Sequence, residues 1–172
     1  MTEDELAELY ADITQTLGDQ TLPKLYETSV LSQRTRRYNL FSTPCLRRPV
    51  VRIQHTLLGI ELKVGRRRLS CPDVATARYL AVFAQLGVAA VAVPYDISQL
   101  PRIADELETA WRRFLVTVEH RLQPYGARTR GWARNRLLDR VQQAIEALGA
   151  GAARPTFAQT TRQRPPSELV RK

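Results

Sequence analysis

The chain has 172 residues, 44% of them apolar and 25% charged, with a formal net charge of +9. That length accommodates one domain with appendages and a core that needs no disulfide staples, and the composition is that of a globular chain, not a disordered or fibrous one. No apolar run approaches the ~20 residues of a membrane span, and the acidic start lacks the basic-then-apolar order of a secretory signal, so a cytoplasmic protein with no membrane partner is expected.

The charge is arginine-rich and uneven. Arginine supplies 23 of the 26 basic residues, and its planar fork suits phosphate geometry better than an ammonium group does. Residues 1–27 carry seven acids and one base, whereas the remainder carries ten acids and 25 bases. Such asymmetry points to an anionic partner for the main body, or to an acidic arm that screens it. The alternative is an arginine-rich surface that is only solvated. Cys45 and Cys71 lack the spacing of a zinc site and read as small buried thiols of a reducing compartment.

In chain order, Leu6, Leu9, Tyr10, Ile13 and Leu17 keep helical spacing and predict a helix over residues 3–17. Thr2 and Glu5 form a potential capping box, and Gly18 ends the helix. From Thr21 to Pro49 the periodicity weakens. Arg34, Arg36, Arg37, Arg47 and Arg48 interleave there with Tyr38 and Phe41 between prolines, which reads as a basic loop with a short strand at Tyr38 to Ser42. Val50 to Ser70 reads as a β-meander. Val51, Ile53, His55 and Leu57 share one face of its first strand, and His55 is expected to be buried and hydrogen-bonded. Ile60, Leu62 and Val64 form the inner face of the second strand, Gly65-Arg66 the turn, and Arg67 to Ser70 the third strand.

Ser70-Cys71-Pro72-Asp73 opens a helix, with Ser70 as cap and Pro72 in the first turn; capping is also the best account of Asp73. The helix continues to about Leu86 and stops at Gly87. Val88 to Val93 is an apolar run of strand length, as expected for a strand covered on both faces. A helix from Leu100 to Leu122 follows, with Trp111 and Phe114 in the core. Arg128 to Leu148 forms another, and a Pro-, Thr-, Gln- and Arg-rich tail from about residue 150 is expected to be disordered on its own.

The expected fold is α/β: a small mixed sheet, built from the meander plus one buried strand, packed by helices and flanked by N- and C-terminal helices. The expected segments are an acidic helix (1–18), the α/β core (19–125), a basic helix (126–149) and the tail (150–172).

The order of these elements, with Ile60-Glu61-Leu62-Lys63 on a meander strand, then a turn, a helix from Asp73 and the buried Val88 to Val93 run, resembles the core of the restriction-endonuclease-like, or PD-(D/E)xK, nuclease superfamily. The likeness spans Gly59 to about Glu108. Glu61 and Lys63 lie one residue apart and therefore face the same way on a strand. By resemblance Glu61 would ligate magnesium or manganese, and Lys63 would stabilise the attacking water or the scissile phosphate. The family also uses a second acid on the preceding strand, yet no Asp or Glu lies between Thr28 and Ile60. One carboxylate holds magnesium weakly, so the resemblance favours a binding-only relative with no cofactor.

The basic residues are the second candidate. Arg34, Arg36 and Arg37 with Tyr38, then Arg47 and Arg48, then Arg66, Arg67 and Arg68, can follow a phosphate backbone while Tyr38 or Phe41 stacks on a base. Arg128, Arg130, Arg134, Arg136 and Arg140 begin a helix whose dipole opposes them, a conflict that a bound anion removes. A solvated helix face is the alternative. The leading expectation is thus a nucleic-acid-binding, non-catalytic nuclease-like domain. The alternatives are an assembly factor that docks on an acidic protein through its long helix and tail, and a metal-dependent nuclease.

Overall fold

The computed structural model describes residues 1–45 and 48–151. Arg47 and the expected tail from residue 152 onward lie outside the described residues. The first helix, α1 (Glu3–Leu17), starts in the expected capping box: Glu5 N–H donates to Thr2 Oγ1 at 3.2 Å, and Thr2 N–H donates to Glu5 Oε2 at 2.7 Å. That second bond, aided by the nearby N-terminus, holds the Glu5 carboxyl below the usual range. Leu6 and Ile13 bury completely.

The stretch after α1 is not the expected loop. A short helix, α2 (Leu22–Leu25), runs into a single π turn, Tyr26–Val30. Pro23 sits in the first turn, where its missing N–H costs nothing. The π turn seats Tyr26 and Val30 fully in the core. The next strand, β1 (Thr35–Asn39), lies three residues before the expected position, which leaves Phe41 and Ser42 in the loop beyond it.

The meander forms as expected, with β2 (Val51–Thr56), β3 (Gly59–Val64) and β4 (Arg67–Cys71) antiparallel in that order. Gly65 takes φ +58° as the first of two turn residues, where a type II′ turn requires glycine. The β2–β3 turn is Leu57–Leu58, both fully exposed, so Leu57 does not belong to the inner face. His55 is exposed, against expectation. The inner face is deeply buried at Leu62 and Val64 but only half-buried at Ile60, and His55 pairs with Ile60 at the end that projects past the core.

Helix α3 (Val74–Leu86) packs on the inner face of the meander. Its cap is Asp73, whose Oδ1 accepts the Thr76 N–H at 2.7 Å. Ser70 is still in β4, because the residue before Pro72 favours extended backbone and carries the strand through Cys71. Gly87 ends the helix at φ +83°. A Cβ there would lie 3.1 Å from both the Cβ and the carbonyl oxygen of Cys45. Gly87→Ala is expected to cost at least about 1–2 kcal/mol from the left-handed backbone alone, measurable as a lower urea midpoint at unchanged m.

Strand β5 (Ala90–Pro94) is buried as expected, but it does not join the meander. It pairs antiparallel with β1, Arg37 opposite Ala92, so the expected single mixed sheet is two separate antiparallel sheets within an α/β fold. The second edge of β5 meets phenols. Tyr79 Oη donates to the Ala92 carbonyl, and Ala92 N–H donates to Tyr26 Oη at 2.8 Å, which in turn donates to Gly149 O at 2.8 Å. Two hydroxyls thus satisfy the backbone that a neighbouring strand would otherwise pair.

Helix α4 (Leu100–Leu122) buries its apolar stripe against α3 and the core. Arg78 of α3 clamps the pair, its Nη2 lying 2.6 Å from Asp105 and 2.7 Å from Glu108. Helix α5 (Ala127–Leu148) closes the bundle through Leu137, Val141 and Ile145. No helix among the described residues is long and apolar enough to cross a membrane.

Burial raises Tyr79 well above the usual phenol range, and raises Tyr26 and Tyr10 as well. From about pH 10 the unfolded chain therefore loses phenolic protons that the folded chain keeps, and stability falls as pH rises. Urea unfolding between pH 8 and 11 is expected to be flat at first and then decline, with a shallower decline in Tyr79→Phe.

Candidate nucleic-acid interface

Residues 28–72 contain ten basic residues and one acid, a surplus of nine that equals the net charge of the whole chain. The rest of the sequence is balanced, and the fold pairs much of it internally. Arg134 meets Glu119 at 3.3 Å, Arg136 meets Glu3 at 3.6 Å and Arg121 meets Asp12 at 2.9 Å. Arg140 lies 4.0 Å from Glu3 and over the Tyr10 ring. The acidic N-terminal helix therefore pairs with α5 and the end of α4 and not with the sheets. Of the α5 candidates, Arg128 and Arg130 have no ion pair among the described residues, whereas Arg134 and Arg136 do.

The sheets carry the excess. Strand register sets Arg52 opposite Lys63, and Lys63 opposite Arg68, so three cations form one row across the outer face of the meander. Like charges directly opposite each other destabilise a sheet by roughly 0.2–1 kcal/mol per pair. Arg66 projects from the adjacent turn, and an open concavity of about 180 Å³ lies between Val50, Arg52, Lys63 and Gly65. Arg52 escaped the sequence reading. The signal was the turn: centring it on Leu57–Leu58 fixes the register and brings Arg52 opposite Lys63 by counting alone.

Glu61 sits in the neighbouring row, between Gln54 and Ser70. Its Oε2 is shielded from solvent, and Arg68 Nη1 stands 3.6 Å away, an ion pair without a hydrogen bond. Among the described residues no group of three or more His, Cys, Asp or Glu side chains could hold a metal ion. Glu61 and Lys63 do share a face, as their spacing requires, but this face offers Glu61 a guanidinium and not a second carboxylate.

The other candidates divide by partner. Arg48 is mostly buried and donates to Asp139 at 2.8 Å, which ties its loop to α5 and takes it out of the exposed set. Arg34 lies over the Tyr95 ring, 5.3 Å from its centroid. Tyr38 is half-buried against the core, with its hydroxyl raised by desolvation, and it is not among the residues that line the groove beside Arg37 and Arg67. Arg36 shares that side of β1, whereas Arg37 alternates to the opposite face together with Asn39. Arg37 Nε donates to Asn39 Oδ1 at 3.1 Å, and Arg67 Nη1 donates to the Leu40 carbonyl at 2.7 Å. Neither guanidinium has a carboxylate partner among the described residues, and both line an open groove of about 400 Å³ with Asn39, Phe41, Ser42, Ala89 and Ala90. The groove lies where β1 and the meander meet.

No family model matches the chain, and no curated protein or solved structure matches it either.

Proposed function

We propose that this protein binds nucleic acid through the basic side of its two sheets, with Arg37, Arg52, Lys63, Arg66 and Arg67 as the principal phosphate contacts. The observation that carries this reading is the row Arg52, Lys63, Arg68, held in register with Arg66 beside it and one carboxylate in the whole segment. Opposed cations oppose folding in the free protein, and a polyanion removes that conflict while releasing its own counterions. Arg128 and Arg130 extend the contact only if the ligand reaches the start of α5.

The test is fluorescence anisotropy with labelled DNA and RNA oligonucleotides across a salt series. Affinity is expected to fall with log[salt] at a slope of about −0.7 per phosphate on a single strand, or −0.9 on a duplex. Salt-insensitive binding, or none at low salt, defeats the reading.

Glu61→Gln separates this reading from a metal-dependent nuclease. It frees Arg68 for a phosphate, so affinity is expected to rise about fivefold on a single strand, or about eightfold on a duplex, at 0.1 M salt, and the pair it removes, open to solvent on its Arg68 side, is worth only about 0–1 kcal/mol. A nuclease predicts instead that plasmid nicking in magnesium or manganese is lost in this variant. The assembly-factor reading has less support, because α4 already buries its apolar stripe in the core.

A further inference from the structure

We propose that the groove at the junction of the two sheets receives one unpaired nucleotide, with its base against Phe41 and its phosphate between Arg37 and Arg67, so that the protein prefers single-stranded to duplex nucleic acid. This inference rests on the nucleic-acid reading and assigns its ligand class.

The groove differs in kind from the rest of the basic surface. The cation row on the meander can meet any phosphate backbone, single or double. The groove adds an aromatic wall and polar groups to two guanidinium ions, within an open volume of about 400 Å³. That lies in the ~300–1,000 Å³ range of sites that enclose small ligands. Each of its cations makes one hydrogen bond to the protein, Arg37 to Asn39 and Arg67 to the Leu40 carbonyl, which lowers part of the ordering cost of binding. The Asn39 amide oxygen accepts from Arg37, which leaves the amide N–H groups to meet acceptors on a base edge, with the Ser42 hydroxyl nearby.

Position along the chain matters too. Arg37 and Asn39 alternate on one face of β1, and Phe41 follows in the loop beyond it. Leu40 and Phe41 both donate their N–H groups to Ala89 O, at 2.8 and 2.9 Å, which anchors the aromatic to the start of β5. A ring held in a concave site reaches the face of a base only when that base has left its stack. In a duplex both faces of an internal base are covered, whereas a single strand offers them to aromatic side chains.

Anisotropy with a labelled 12-nucleotide single strand and the same sequence as a blunt duplex tests this. A matched strand carrying 2-aminopurine reports stacking. The single strand is expected to bind at least tenfold tighter than the duplex, with 2-aminopurine emission quenched on binding. Phe41→Ala is expected to weaken single-strand binding by about 5- to 150-fold, the range for losing one stacked base, and to leave duplex binding unchanged. Because Phe41 is partly buried, Phe41→Leu is measured beside it; leucine keeps most of the apolar contact and lacks the π face, so it should lose quenching while melting near wild type. Salt-dependent binding that is equal for both forms and indifferent to position 41 overturns this inference and leaves the nucleic-acid reading intact. Absence of salt-dependent binding to either form overturns both.

Discussion

Arg52→Gln, Lys63→Gln and Arg66→Gln combined are expected to weaken nucleic-acid binding about 100-fold on a single strand, and about 500-fold on a duplex, at 0.1 M salt. The figures follow from losing three phosphate contacts at slopes of ~0.7 or ~0.9 each. The log–log salt slope should flatten by about 2 to 3 at the same time. None of the three side chains has an ion pair among the described residues, and two of them stand opposite each other in the cation row. The variant should therefore be as stable as the parent, or slightly more so, since relieving a like-charge pair contributes a few tenths of a kcal/mol. Loss of binding without loss of stability is the signature of a binding surface; loss of both would point to a structural role. Arg102→Gln, Arg112→Gln and Arg113→Gln on α4 remove as much charge and serve as the control. If that control weakens binding equally, net charge is responsible and the sheet face is not the site.

Tyr26→Phe with Tyr79→Phe is expected to lower unfolding stability by roughly 3–5 kcal/mol. Each substitution keeps the ring and removes a hydroxyl, so the packing around Phe83, at centroid distances of 5.3 and 5.2 Å, is retained. What is lost is the pairing of Ala92, a fully buried residue whose N–H and carbonyl have these hydroxyls as partners. An orphaned buried group costs about 1–3 kcal/mol, and Tyr26 also releases Gly149 O. At ~2–4 °C per kcal/mol for a chain of this size, the melting temperature should drop by roughly 6–20 °C. Because both hydroxyls act on one residue, the double variant is expected to depart from the sum of the singles. A change below about 1 kcal/mol would mean that water or a shifted strand replaces the phenols, and that the edge of β5 is not closed as described.

Much of the fold is legible from pattern. Leu6, Ile13 and the Thr2–Glu5 box define α1, the stripe from Leu100 to Leu122 defines α4, and Gly65 defines a hairpin, because period, cap and turn are local properties of the chain. The misplaced features share a cause: each depended on a partner distant in sequence. Tyr26 and Val30 look like loop residues until the core receives them through a π turn. His55 looks buried until the hairpin is found to extend past the helix that covers its base. Arg48 looks like a phosphate ligand until Asp139, 91 residues on, is found against it.

The sequence by itself determined the size of the core, the α/β class, the identity and order of most elements, and the concentration of positive charge between residues 28 and 72, since composition and periodicity are written residue by residue. Tertiary structure alone decided which strand β5 pairs with, because phenols from α3 and the π turn occupy its other edge. It alone decided which basic residues find a partner, because acids on other helices pair with Arg134, Arg136 and Arg140 of α5, while Arg37, Arg52, Lys63, Arg66 and Arg67 have no carboxylate partner among the described residues. And it alone brought Phe41, Arg37 and Arg67 to the lining of one groove, because that groove exists only where the two sheets meet.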